Sequence, residues 1–115
     1  MLDLNLSMPE EMGGDGGTGT NPEQLFAAGY AACFESAPRL VAGNQEKDLG
    51  NASITANVGL GRDSDGNFGL AVELVGRMPN LHREEAEALM AEAHQVCLYS
   101  RATRGNVDVA LTVEG

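Results

Sequence analysis

The chain has 115 residues, enough for one hydrophobic core and too few for two, so a single domain spanning residues 1–115 is expected. Its 17 acidic residues against 7 lysines and arginines leave a formal charge of −10, which argues against nucleic acid or an anionic membrane surface as a partner, since both are held through clustered basic side chains. With no tryptophan, three phenylalanines and two tyrosines, the core must rest on aliphatic residues and alanine, and a second copy of the chain would help to bury surface.

The first residues show no basic segment followed by an apolar run, and no window approaches the roughly 20 apolar residues of a membrane span, so a soluble cytoplasmic protein is expected. Leu2, Leu4 and Leu6 alternate with Asp3, Asn5 and Ser7, the period of a half-buried strand. Residues 9–21 hold five glycines and no apolar period, which reads as a loop. Its GGDGGTG run lacks both the Lys-Ser/Thr ending of a phosphate loop and the spacing of a dinucleotide turn.

Asn21 then caps a helix, with Pro22 at its first position and Glu23 where the free amides favour a carboxylate. The helix is expected to run to about Ala42 and to stop at Gly43 and Asn44, with a kink or break near Ser36 because Pro38 removes a backbone hydrogen bond. Two alternating runs, ASITANVGLGRD and FGLAVELVGRMP, flank Ser64-Asp65-Gly66-Asn67 and predict a hairpin. Residues 83–97 place Ala86, Leu89, Met90, Ala93 and Val96 at helical spacing behind an acidic first turn, and GNVDVALTVEG closes the chain as a strand. The expected fold is α+β, with a mixed or antiparallel sheet and two long helices packed on it.

Chemistry centres on Cys33 and Cys97. Far apart in a chain with no secretion signal, they read either as two buried thiols packed as small hydrophobes or as a reactive pair. Cys33 lies eleven residues past Pro22, roughly 16 Å from the helix start, beyond the reach of the helix dipole. Arg39, six residues on, points to another side, so an activating cation or donor must come from a different segment. Glu23 and Cys33 share nearly one helix face but stand about 15 Å apart, so they can meet only between chains. Two such helices crossing antiparallel near Ala28, with Ala27 and Gly29 permitting close approach, would bring that meeting about; equally, the small residues could pack on the chain's own sheet. His94 and Cys97, three apart on the second helix, could form with Cys33 a three-ligand zinc site, or His94 could be structural or assist the thiols.

The segments TNPEQLFAAGYAACF and HQVCLYSRATRGNVDV together resemble the organic hydroperoxide resistance proteins, a branch of the osmotically inducible protein C family, and the resemblance runs from about Leu2 to Glu114. It implies an intertwined homodimer and a metal-independent, cofactor-free thiol peroxidase that reduces organic and fatty-acid hydroperoxides, recycled by a dithiol reductant of the lipoylated-protein class. It further implies that Cys33 is the peroxidatic cysteine, Cys97 the resolving cysteine that forms a disulfide with it, and Glu23 the glutamate that orients a catalytic arginine. In the family that arginine belongs to a β-hairpin preceding the strand that here begins at Leu2; residues 1–115 are expected to lack the hairpin, and turnover to be slow at neutral pH. Leu98 stands where the family usually has proline. The other reading is a non-catalytic redox or apolar-ligand-binding dimer that has lost turnover with the arginine.

Overall fold

The computed structural model describes residues 3–8, 10, 13–14, 16–44, 51–62 and 64–114, apart from the side chains of residues 40–44 and 62. The elements run α1 (Pro22–Asn44), β1 (Ser53–Arg62), β2 (Phe68–Arg77), α2 (Arg83–Val96), α3 (Leu98–Thr103) and β3 (Asp108–Glu114). The sheet has the order β1-β2-β3, with β1 antiparallel and β3 parallel to the central β2. It is a mixed sheet within an α+β fold.

Alternation decides which face of the sheet is covered. Register aligns Val58, Val72 and Val109 in one row, Ala56, Leu74 and Leu111 in the next, and Ile54, Gly76 and Val113 in the third. Val72 and Leu74 are buried, as are Ala86, Leu89, Met90 and Ala93 of α2 and Tyr30, Phe34 and Ala37 of α1, so both helices lie on this one face. Gly76 marks the closest approach: a Cβ added there would sit 2.5 Å from the Met90 sulfur. The opposite face carries Thr55, Asn57, Glu73 and Thr112, with an Asn57 to Glu73 side-chain hydrogen bond of 3.1 Å.

The ends of the elements follow their sequence signals. The Asn21 side chain accepts from the Gln24 N–H at 2.8 Å, and its carbonyl accepts from the Leu25 N–H at 3.0 Å, which starts α1 behind Pro22. The β1–β2 turn uses Gly66 at φ 81°, a left-handed conformation that residues with a Cβ rarely adopt. At the start of α2, the Glu85 carboxylate accepts loosely from the His82 N–H at 3.5 Å.

Three expectations are corrected. Leu2 lies outside the described residues, and the alternation after it produces an isolated parallel bridge between Leu6 and Thr20 instead of a strand, with Leu4 and Leu6 exposed. Alternation marks a face that could be buried, and among the described residues no neighbouring strand lies beside this one to bury it. α1 runs unbroken past Pro38 to Asn44; Pro38 is itself buried, and the Ser36 hydroxyl donates to the Cys33 carbonyl at 2.7 Å one turn earlier. Finally, α2 stops at Val96 and a separate short helix, α3, follows Cys97, so His94 and Cys97 do not share one helix face.

The row structure yields a stability contrast measurable by urea unfolding. Leu74→Ala empties the centre of the middle row and is expected to cost about 2–5 kcal/mol. Gly76→Ala forces Met90 aside and is expected to cost about 1–3 kcal/mol. Gly59→Ala, whose Cβ would meet nothing within 4 Å, should be neutral or stabilising by up to about 1 kcal/mol.

Candidate active site

Cys33 sits on the buried side of α1, one turn from Tyr30 and beside Phe34, and is itself half-buried. Cys97 is 2 % exposed, at the break between α2 and α3. Its extended backbone, φ −68° and ψ 129°, ends one helix and begins the next: its N–H donates to the Ala93 carbonyl at 2.8 Å and its carbonyl accepts from the Arg101 N–H at 3.0 Å. Leu98, in the place of the family's proline, is therefore the first residue of α3, a position where the backbone N–H has no partner in its own helix and proline is favoured. Leucine keeps the same helix start without fixing its φ.

The break turns the Cys97 sulfur toward α1. The two sulfurs are 3.5 Å apart, with the Cys97 thiol donating, and both cysteines are free. A disulfide needs about 2.05 Å, so a small motion of two side chains separates contact from bond. Burial pushes the Cys97 thiol above its ordinary range, and its own hydrogen bond to Cys33 helps it keep its proton, while the polar groups of Ser100 and Tyr99 at the start of α3 work the other way.

Beneath the thiols lies a polar cluster. Ser100, completely buried, has its hydroxyl 2.7 Å from the Tyr30 hydroxyl and 2.7 Å from the His94 Nδ1. Tyr30 also lies 3.2 Å from the Thr103 hydroxyl, which donates to the Ser100 carbonyl at 3.2 Å. The Arg104 guanidinium donates to the His94 carbonyl at 2.9 Å. Burial first, and the Arg104 charge second, hold His94 below the usual imidazole range, which favours its neutral form at neutral pH. Around this cluster Phe26, Tyr30 and Tyr99 form an aromatic wall, with Phe26 edge-on to Tyr30 at 5.8 Å and Tyr99 5.7 Å from Tyr30.

Part of the small-residue face of α1 is thereby accounted for. A Cβ on Gly29 would come within 3.1 Å of the Tyr99 hydroxyl, so glycine there admits Tyr99 against the helix, while Ala28 and Ala32 remain exposed. Glu23, half-buried in the first turn of the same unbroken helix, stands roughly 15 Å from Cys33 at about 1.5 Å per residue, so it does not join the thiols within one chain. No described residue hydrogen-bonds its carboxylate. Nor does a described arginine bond Cys33: Arg39 is engaged with Glu35 and the Ala52 carbonyl, Arg83 with Glu87 and the Val113 carbonyl.

The zinc arrangement does not form, because His94 faces Ser100, and among the described residues no group of three or more His, Cys, Asp and Glu is placed to hold a metal ion. No helix is long and apolar enough to cross a membrane among the residues described. Sequence reasoning missed Ser100, Tyr30 and Thr103. Their signal was local only, a serine and a threonine three apart beyond the second cysteine; the partnership with Tyr30 spans 70 and 73 residues.

Comparison with known proteins places this geometry. Residues 13–112 match the family model of the OsmC-like proteins. The organic hydroperoxide resistance protein of Xanthomonas axonopodis pv. citri is 54% identical over 113 residues, covering 97% of this chain and 79% of the relative. The organic hydroperoxide resistance protein OhrB of Bacillus subtilis is 49% identical over 115 residues, covering 99% and 83%. Among solved structures, an organic hydroperoxide resistance protein OsmC from Legionella pneumophila superposes with a TM-score of 0.92 at 54% identity, over 100% of this chain and 83% of the other. One from Vibrio cholerae, with captopril bound in one of its active sites, gives 0.89 at 52% identity, over 100% and 78%. With its family model matched over most of its length and relatives of about half-identical sequence, this chain belongs to the OsmC-like protein family, in the company of the organic hydroperoxide resistance proteins.

Proposed function

We propose that the chain is a thiol-dependent peroxidase that reduces organic hydroperoxides to alcohols. The observation that carries this reading is the meeting of a half-buried and a fully buried free thiol at 3.5 Å across 64 residues of sequence, in a chain whose half-identical relatives are named for organic hydroperoxide resistance. The Cys33 thiolate attacks the terminal oxygen of the hydroperoxide; the O–O bond breaks, the departing alkoxide takes a proton to become the alcohol, and Cys33 becomes a sulfenic acid. Cys97 then attacks the Cys33 sulfur, forming the disulfide as the S–O bond breaks and water leaves. A dithiol, of the lipoylated-protein class, restores both thiols by exchange. The difference in exposure supports the order of events, since Cys33 is partly open to a substrate while Cys97 is buried and in contact with Cys33. The aromatic wall of Phe26, Tyr30 and Tyr99, of which Tyr30 lies one turn from Cys33 on α1, suits a hydroperoxide with an apolar body.

Glu23 enters this scheme from a second copy. Two α1 helices crossing antiparallel near the exposed Ala28 bring Glu23 of one chain to Cys33 of the other. Light scattering should give twice the chain mass, and Glu23→Gln should lower turnover without changing that mass; a monomer removes Glu23 from the mechanism.

Hydroperoxide consumption with a small dithiol tests the chemistry. Cys33→Ser is expected to fall to the uncatalysed level. With the dithiol left out, Cys97→Ser should consume one equivalent of hydroperoxide and accumulate a sulfenic acid seen by intact mass, where the unaltered chain instead loses two protons to a disulfide. A Cys33→Ser chain of full activity would reverse the assignment. An unaltered chain that binds the hydroperoxide and consumes none is the non-catalytic module instead.

A further inference from the structure

The break that carries Cys97 is clamped by side chains. His94 stands three residues before Cys97, in the last turn of α2, and Ser100 stands three residues after it, in the first turn of α3. His94 Nδ1 and the Ser100 hydroxyl lie 2.7 Å apart, so they close the break on itself with Cys97 midway between them. Arg104 reinforces the closure from beyond α3, its guanidinium donating to the His94 carbonyl at 2.9 Å. The backbone of Cys97 is held as well, its N–H by the Ala93 carbonyl and its carbonyl by the Arg101 N–H.

The clamp is fixed to α1 by Tyr30, whose hydroxyl is 2.7 Å from that of Ser100, with neither residue exposed. Tyr30 is three residues before Cys33 on α1, as Ser100 is three residues after Cys97. Two contacts between α1 and the break therefore run side by side, a hydroxyl pair at 2.7 Å and a thiol pair at 3.5 Å, one turn apart on each side.

We propose that Tyr30, Ser100 and His94 are positioning residues for the Cys33–Cys97 disulfide, holding the Cys97 sulfur at Cys33 before the bond forms. Resting on the reading of these cysteines as a disulfide-forming pair, the inference adds three residues to it. A thiol is a weak donor and a weak acceptor, so the contact between the sulfurs does not by itself hold two segments together. Cys33 belongs to an unbroken helix, and the freedom to be removed lies on the side of Cys97, where α3 has six residues and is too short to persist alone. The hydroxyl pair removes that freedom in the reduced chain. Thr103, 3.2 Å from the Tyr30 hydroxyl, holds the same side chain from farther along α3. Closing the bond then takes the sulfurs from 3.5 Å to about 2.05 Å with the segments already in place. The ordering is present before the reaction, and it raises the effective concentration of one thiol at the other.

Exchange with glutathione measures that quantity without any hydroperoxide. One oxidised glutathione takes two electrons and two protons from the Cys33 and Cys97 thiols, giving the protein disulfide and two reduced glutathiones. The equilibrium constant has units of concentration and is the effective concentration of the pair. It is read by intact mass after acid quenching, over a series of glutathione ratios. Tyr30→Phe keeps the ring, leaves Ser100 bonded to His94 and leaves Thr103 bonded to the Ser100 carbonyl. It should lower the constant about fivefold, the scale of one net hydrogen bond. Ser100→Ala removes both ties and should lower it further. Gly76→Ala strains the core at Met90 instead; it should lower the urea midpoint and leave the constant unchanged. A Tyr30→Phe chain with a lowered urea midpoint and an unchanged constant overturns the proposal, because the cluster is then structural only. A raised constant also overturns it, since the cluster would be holding the sulfurs apart, and so does an equal fall in Gly76→Ala, since any loosening of the core would then suffice. If Tyr30→Phe lowers the constant as described while the unaltered chain consumes no hydroperoxide, the proposed function fails and the positioning stands.

Discussion

The hydroxyl of Ser100 is the point at which the structure is tied together. It has no exposure to solvent, so its hydrogen bonds must be found within the chain, and they come from α1 through Tyr30 and from α2 through His94. An unpaired buried polar group costs about 1–3 kcal/mol, so each partner is held in place by the penalty for leaving. The two helices that carry the cysteines are thus fixed relative to one another by a polar contact immediately beneath the sulfurs. Thiol contact at 3.5 Å is a consequence of that fixation together with the apolar core in which Cys97 is buried and against which Cys33 packs.

The break at Cys97 is the second half of the same construction. Had α2 continued, Cys97 would follow the buried Ala93 by one turn, with its amide and carbonyl both used in a single ladder. The extended backbone at Cys97 gives its N–H to α2 and its carbonyl to α3, and points the side chain into the core between them. α3 is six residues long, too short to persist alone, and Ser100 and Thr103, its two buried polar residues, anchor it to Tyr30. The residue that turns the chain is therefore the one that carries the sulfur, and the helix it begins supplies the hydroxyl beneath it.

Much of this was legible in the sequence wherever a local rule applied. Asn21 and Pro22 mark the start of α1, Gly66 marks the hairpin turn, and alternation marks β1, β2 and β3, because each signal acts within a few residues. The segment at Leu4 and Leu6 misled, since alternation describes a strand's faces and says nothing of whether a neighbour exists. Pro38 misled in the opposite sense: one lost hydrogen bond within a 23-residue helix is offset by packing, with Ala37 and Pro38 both buried. For the site, the two motifs and their resemblance pointed to the cysteines. Ser100 and Tyr30 were invisible because neither has a meaning until a fold places residues 70 apart within a hydrogen bond.

The paired thiols also show how one protein can make two like groups unlike. Both are cysteines in the same few ångströms, yet Cys97 is buried, gives its proton to Cys33 in a hydrogen bond and is pushed up by desolvation, while Cys33 keeps a path to solvent. In the proposed cycle this asymmetry sets the sequence of attack: the exposed sulfur meets the oxidant, and the buried one waits with its proton until a sulfenic acid stands beside it. Desolvation that protects Cys97 from premature oxidation is the same effect that makes its deprotonation costly.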